Sequence, residues 1–318
     1  DLHARGTNPR ARRDSYQEAM VRKLGEIQEL AVHHGVSAIL FGGDLTDTPH
    51  LDQGPEGDLI RALRQITFPT FGVWGNTHDI PGDNPSLLRR TTLNVVEAAG
   101  CIQLLHPGQP VFLEEDGMVI QITGQGYHQE MDRRDWRLDY TVLPEGAILE
   151  GHQHYRAPGV RWAVHVVHGM LRLEPLMEGI PVTLVDDVLN SIAADITLSG
   201  HDHGGYAVVE KHGRSASNPG ALMRKFADMQ DMSRTVQVDL ITLTAERYTI
   251  ERIPLRSAAP GPEVLDRSQI EATAARDAAR QQFLEGVKTG GDFEALDPHG
   301  IIQRVAANKN VAEKVKVE

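Results

Sequence analysis

Five short segments put histidines and carboxylates beside glycine: Asp1-Leu-His3, Gly43-Asp44-Leu-Thr-Asp47, Gly75-Asn76-Thr-His78-Asp79, His168-Gly169 and Gly200-His201-Asp-His203. The chain carries 15 histidines against 6 tyrosines and 3 tryptophans. Many of them stand among Asp, Asn and Gly rather than on apolar helical faces, which points to metal ligation. Two divalent cations about 3.5 to 4 Å apart need several nitrogen and oxygen donors and one carboxylate that touches both. Asp44 is the natural bridge. One site is then Asp1, His3, Asp44 and His203, and the other Asp44, Asn76, His168 and His201. Imidazole and carboxylate donors suit manganese, iron, zinc or nickel. Cys101 is the single cysteine and no CxxC occurs, which argues against a structural zinc held by thiolates and leaves no intrachain disulfide.

Such loops need rigid elements behind them. Residues 15–34 place Met20, Val21, Leu24, Ile27, Leu30 and Ala31 at three-and-four spacing ahead of Gly35, which predicts an amphipathic helix. Residues 36–41 form a short apolar run that stops at Gly42, Gly43 and Asp44, and 68–74 do the same before Gly75 and Asn76. The runs 118–123, 163–167 and 194–198 lead into Gly124, His168 and the Ser199-Gly200-His201 loop. Helix, buried strand and polar loop in repetition predict an α/β architecture, with sites built at the carboxyl ends of strands. The alternating stretches 235–243 and 247–255 predict a late pair of strands. Residues 257–263 (SAAPGPE) read as a linker, and 266–286 and 299–316 as helices. The expected division is therefore a catalytic domain over 1–256 and a linker with a helical C-terminal extension over 257–318.

Among 318 residues, 44 acidic and 32 basic side chains give a net charge of −12, and 40% of the residues are hydrophobic. That excludes low-complexity and disordered classes and argues against a generally basic protein that blankets nucleic-acid phosphates. It leaves room for a nucleic-acid enzyme whose positive charge is local. No stretch of about 18 apolar residues reads as membrane-spanning. The lone cysteine and the lack of an apolar leader suit a cytoplasmic protein. The chain starts on a ligand-type residue, Asp1, so a β-strand is expected upstream of it.

In order and spacing the motifs DLH, GDLTD, GNTHD, HG and GHDH resemble the calcineurin-like metallophosphoesterase superfamily, over residues 1–203. Within it the chain is most similar to the Mre11/SbcD-type DNA nucleases and their phage-like relatives. The basic residues Arg5, Arg10, Arg12 and Arg13, the stretch Thr123-Gly-Gln-Gly-Tyr-His128 and Ser217-Asn-Pro-Gly-Ala-Leu-Met-Arg224 carry that finer likeness. The resemblance implies a four-layer αββα sandwich, a dimetal site at one edge, metal-dependent phosphodiester hydrolysis and DNA as substrate. Arg10, Arg12 and Arg13 become DNA-contact residues through that context alone. It also implies a Rad50/SbcC-type ATPase partner at the C-terminal extension, and a homodimer. His78 is the residue expected to stabilise or protonate the leaving oxygen. The family motif has His directly after Asn, whereas Thr77 intervenes here.

Other readings stay open at this level. Asp47 either caps a turn or supports a ligand. His165 competes with His168, and on a strand the two point to opposite faces. Gly151-His152-Gln-His154 imitates the GHxH pattern but reads as a surface loop. Arg133, Arg134 and Arg137 beside Trp136 form a second place for backbone contact or base stacking. A small-molecule or phosphoprotein phosphoesterase, and a scaffold that keeps the fold without chemistry, are the competing functions.

Overall fold

The computed structural model describes residues 1–191 and 194–289, so the predicted helix over 299–316 lies outside the described residues. Helix α1, Tyr16–His34, starts at Ser15, whose Oγ accepts the Glu18 N–H at 3.2 Å. It stops at Gly35, which takes a left-handed φ of 60° and returns its N–H to the last turn. Strands β1 (Ile39–Phe41), β2 (Thr70–Gly72) and β3 (Gln103–Leu104) form a parallel sheet in that order. Helices α2 (Gln53–Leu63) and α3 (Thr92–Ala98) make the crossovers.

A second, six-stranded sheet is built from β4 (Val111–Glu115), β5 (Met118–Gln125), β6 (Trp162–Val167) and, after the short pair β7 (Leu171–Arg172) and β8 (Thr183–Leu184), β9 (Ile196–Ser199), β10 (Tyr206–Lys211) and β11 (Arg214–Asn218). Its order is β10-β11-β9-β6-β5-β4, with β5, β6, β9 and β11 parallel and the two edge strands antiparallel. The predicted late strands are β12 (Gln237–Leu243) and β13 (Tyr248–Pro254), a hairpin in continuous register.

Alternation along the strands sorts the side chains into layers. Phe71, Val73 and Leu105 from the first sheet meet Ile120, Ile122, Trp162, Val164, Val166 and Ile196 from the second. On the far side of the first sheet, Tyr16, Met20, Leu24, Leu59, Leu63, Leu93 and Val96 cover it with α1 to α3. On the far side of the second, Val167, Tyr206 and Ala216 pack on Tyr140, Val185, Val188 and Leu189 from short helices. The result is the four-layer α/β/β/α arrangement. No helix among the described residues is long and apolar enough to cross a membrane.

The compact unit runs from Asp1 to Asp266. Residues 257–263, linker-like in composition, and the three that follow are packed into this unit. The Glu26 carboxylate accepts the Arg256 and Ser257 N–H groups at 2.8 and 2.7 Å, and Leu265 is buried beside the Asp266 N–H, which donates to Ala11 O. Residues from Arg267 form a second unit, whose described part is the helix Ser268–Thr289.

The outward face of the six-stranded sheet departs from expectation at Gly151-His152-Gln-His154. His152 and His154 are buried, at 7% and 1% exposure, not on a surface loop. The cause lies in β5, whose Gln121 and Gln125 amides point out of the sheet under cover and need partners. Gln121 donates to Tyr155 O at 2.6 Å, and His154 Nε2 pairs with Gln125 Oε1 at 3.1 Å. His165 sits on the same face between Thr123 Oγ1 and Asp139 O, each at 2.8 Å.

Burial lowers the His165 pKa from 6.5 to about 4, and lowers that of His154 as well. The folded protein keeps His165 neutral, while the unfolded chain takes up a proton below pH 6.5. Stability is therefore full above pH 6.5 and falls as pH drops toward 4, by on the order of 3 kcal/mol from His165 alone. Urea midpoints in EDTA at pH 7.5 and 4.5 test this: His165→Gln should lose less on acidification than the wild type. Equal losses would remove His165 as the cause.

Candidate metal centre

Because β1, β2, β6 and β9 run parallel within their sheets, the loops after them emerge at carboxyl ends. Those of the two sheets meet. The segment Leu2–Ala4 lies parallel to Asp44–Thr46, with the Leu2 and His3 N–H groups on Asp44 O and Ala4 N–H on Leu45 O, all at 2.9 Å. Asp1 is pinned at both ends: its carbonyl accepts Leu222 N–H at 2.9 Å and its carboxylate accepts His201 N–H at 3.1 Å.

Donor atoms of Asp1, His3, Asp44 and His203 fall within 4.8 Å of one another, as do those of Asp44, His168 and His201. The two groups share Asp44. His3 Nε2 lies 3.7 Å from Asp44 Oδ2 and 2.8 Å from His203 Nε2, and His168 Nε2 lies 3.5 Å from Asp44 Oδ1. His168 Nδ1 donates to Gly42 O at 2.7 Å, so Nε2 keeps its lone pair toward Asp44. His165, three residues earlier, faces the other side of the sheet. Asn76 adjoins the second group: its N–H donates to Asp44 Oδ1 at 3.1 Å, its Oδ1 accepts the His78 N–H at 3.1 Å, and its Nδ2 lies 3.4 Å from His201 Nδ1.

His78 stays close despite Thr77. Asp79 and Ile80 N–H groups both return to Asn76 O at 3.0 Å, which closes a tight turn and leaves Thr77 on the exposed side. The His78 ring then stands edge-on to that of His3, 4.7 Å between centroids, and its Nδ1 faces Asp47 O at 2.9 Å. His3, Asp47 and His78 form a third close group.

Three features mark this as a built site. His3, Asp44 and His201 hold left-handed φ angles of 50°, 51° and 75°, a conformation that costs a non-glycine residue roughly 1 to 2 kcal/mol and persists where the surroundings impose it. Asp44 Oδ2 and His168 Nε2 are buried with no hydrogen-bond partner among the described residues, as expected of atoms shaped to bind a cation. Finally, an added Cβ at Gly75 would overlap the Asp44 carboxylate, and one at Gly43, whose φ is 100°, would overlap the His168 ring. The donors fit a divalent pair.

The electrostatics agree. Burial first, then neighbouring positive groups, lower His203 to about 4; burial and His168 lower His201 to about 3; burial lowers His3 further still. All three imidazoles are neutral and ligand-ready at pH 7. For Asp44 burial acts upward, and it is positive charge on the surrounding rings of His168, His3 and His78 that draws it below the usual carboxylate range, a role a bound cation would take over where those rings are neutral.

Two residues that the motifs did not mark as site members support the centre. Asp79, fully buried, accepts N–H groups from Leu45, Thr46 and Gly75 at 3.1, 2.9 and 2.8 Å and so ties the first two loops together. Lys225 Nζ meets Asp47 Oδ1 at 2.5 Å, and Arg5 meets Asp47 Oδ2 at 3.1 Å. Lys225 directly follows the Ser217–Arg224 stretch, the one sequence signal that could have found it.

The basic cluster divides. Arg12 is turned inward, its side chain 2% exposed, pairing with Asp14 at 2.6 Å and donating to Arg224 O at 3.3 Å, so it holds the fold and offers nothing to a phosphate backbone. The Asp14 carboxylate and the Arg224 carbonyl give its guanidinium partners in that inward position. Arg10 and Arg13 are exposed, with Arg13 3.4 Å from Asp266. In the second cluster Arg134 is bound to buried Asp139, Arg137 to Asp135, and Trp136 packs into the core.

No protein-family model matches the sequence, and no curated protein matches it. Among solved structures the chain is similar to the calcineurin-like phosphoesterase YfkN from Bacillus subtilis, at 13% identity over 80% of this chain and 86% of that one, with a TM-score of 0.42.

Proposed function

We propose that the chain is a metal-dependent phosphoester hydrolase, and specifically a nuclease that cleaves DNA phosphodiesters. The observation that carries this is the pair of His and Asp donor groups sharing one buried carboxylate, Asp44, with His78 beside them. Asp1, His3, Asp44 and His203 would hold one cation and Asp44, Asn76, His168 and His201 the other, with manganese the first choice. The chemistry that such cations supply when bound is Lewis acidity toward a phosphoryl oxygen and activation of water at neutral pH.

The protein's own contribution is positional. With Nδ1 held by Asp47 O, His78 has Nε2 to hold a proton at the leaving oxygen. Asp47 is in turn fixed by Lys225 and Arg5, so the proton carrier sits on a braced support. DNA as substrate rests on the motif resemblance and on exposed Arg10 and Arg13. The same resemblance suggests an ATPase partner of the Rad50/SbcC type and a homodimer.

A second reading is hydrolysis of small phosphoesters, for which the same two donor groups would serve. Incubation with manganese and labelled single- and double-stranded DNA, beside bis(p-nitrophenyl) phosphate and a panel of monoesters, separates the readings. Strand cleavage is the expected result. Turnover of the small esters with intact DNA would replace the first reading by the second. His78→Gln should lower kcat by about 10²- to 10⁴-fold while metal content, measured by elemental analysis, stays at the wild-type level. An unchanged kcat would take His78 out of the mechanism.

A further inference from the structure

We infer that Phe226 is a stacking platform for an unpaired nucleobase beside the scissile phosphate, an inference that rests on the nuclease reading above. Phe226 is 53% exposed, unusual for a phenylalanine in a well-covered fold. Its ring lies nearly parallel to the imidazole of His203, 16° between planes and 6.5 Å between centroids. One edge of this apolar surface thus adjoins a residue of the candidate metal centre.

The ring is presented by a fixed backbone. The Lys225 and Phe226 N–H groups both donate to Asp231 Oδ2 at 2.8 Å. Asp231, itself 4% exposed, is held by Arg234 at 2.7 Å and by its own N–H on Asp228 Oδ1, also at 2.7 Å. A buried carboxylate thus anchors a turn that carries an exposed aromatic, a rigid support for a contact surface. Lys225 Nζ stands 5.3 Å from the Phe226 ring while paired to Asp47.

The opposite side of the centre has a second ring. Tyr127 lies 5.4 Å from His201 and 6.2 Å from His168. Rings therefore adjoin both donor groups, exposed at Phe226 and partly buried at Tyr127. A duplex, whose bases are stacked on one another, cannot use them without opening at its end.

The test uses an oligonucleotide carrying 2-aminopurine, whose fluorescence falls on stacking, titrated in EDTA so that the readout is binding and not turnover. The wild type should quench it. Phe226→Ala should bind roughly five- to 100-fold more weakly, and Phe226→Trp should restore both affinity and quenching. Phe112→Ala, which removes an exposed aromatic on β4, should bind as the wild type does. With metal added, the Phe226→Ala defect should appear mainly in KM, and an abasic position beside the cut site should produce the same defect in the wild type but add nothing in the variant. A wild type that cleaves DNA but is matched by Phe226→Ala in binding and quenching overturns the inference and leaves the nuclease reading standing. A change confined to self-association of the variant also overturns it, making the ring a contact between copies. A wild type that hydrolyses only small esters removes the nuclease reading and this inference with it.

Discussion

Asp44→Asn should abolish hydrolysis, lowering kcat/KM at least about 10³-fold, and should leave fewer than two metal ions per chain after dialysis against manganese. Asparagine keeps the shape of aspartate and tolerates the left-handed φ of 51°. The backbone carbonyl that receives Leu2 and His3 is untouched. What changes is the charge. One carboxylate oxygen becomes an NH₂ group, which cannot ligate, and the anion common to both donor groups is gone. His168 Nε2, 3.5 Å from Asp44 Oδ1, then faces a neutral amide. Elemental analysis of the dialysed protein and turnover of bis(p-nitrophenyl) phosphate are the measurements. Two ions per chain with wild-type turnover in the variant would mean that Asp44 is not shared, and the proposed centre would have to be rebuilt around other residues.

Gly75→Ala should cost nearly as much, on the order of 10² in activity, although residue 75 carries no chemistry. The added methyl collides with the Asp44 carboxylate and with the Asp44 backbone nitrogen. Relief is not available through a flexible neighbour. Gly75 N–H is bonded to buried Asp79, and the next residue, Asn76, donates to Asp44 Oδ1. The carboxylate must turn away from His168 or the two loops must part, and overpacking of this kind typically costs 1 to 3 kcal/mol of stability as well. Gly54→Ala is the control. That glycine lies in α2 with nothing near its would-be Cβ, and the change should be neutral or stabilising by up to about 1 kcal/mol. Should Gly75→Ala retain full activity and metal content, the close approach of the two loops is not what positions Asp44.

Much of the scaffold could be read from local pattern. The limits of α1 follow from Ser15 and Gly35, because capping is a contact between residues a few positions apart. The apolar runs before Asp44, Asn76, His168 and His201 are strands for an equally local reason: β-branched and apolar residues in short runs bounded by glycine. The order of ligand-type residues along the loops was also open to inspection, since residue type and spacing are properties of the chain alone.

Contacts across the fold were not. Arg12 looks like its neighbours Arg10 and Arg13, yet a carbonyl 212 positions away draws it inward. His152 and His154 resemble a ligand pair, yet two glutamine amides on β5 bury them elsewhere. Lys225 and Phe226 lie just past the Ser217–Arg224 stretch, but acquire their places beside Asp47 and His203 only when the turn at Asp231 closes. Sequence determines which groups exist and which local elements carry them, because backbone preferences act over a few residues. Only the docking of two sheets, driven by burial of their apolar faces, decides which distant groups share a dry space. Burial and proton affinity are decided there.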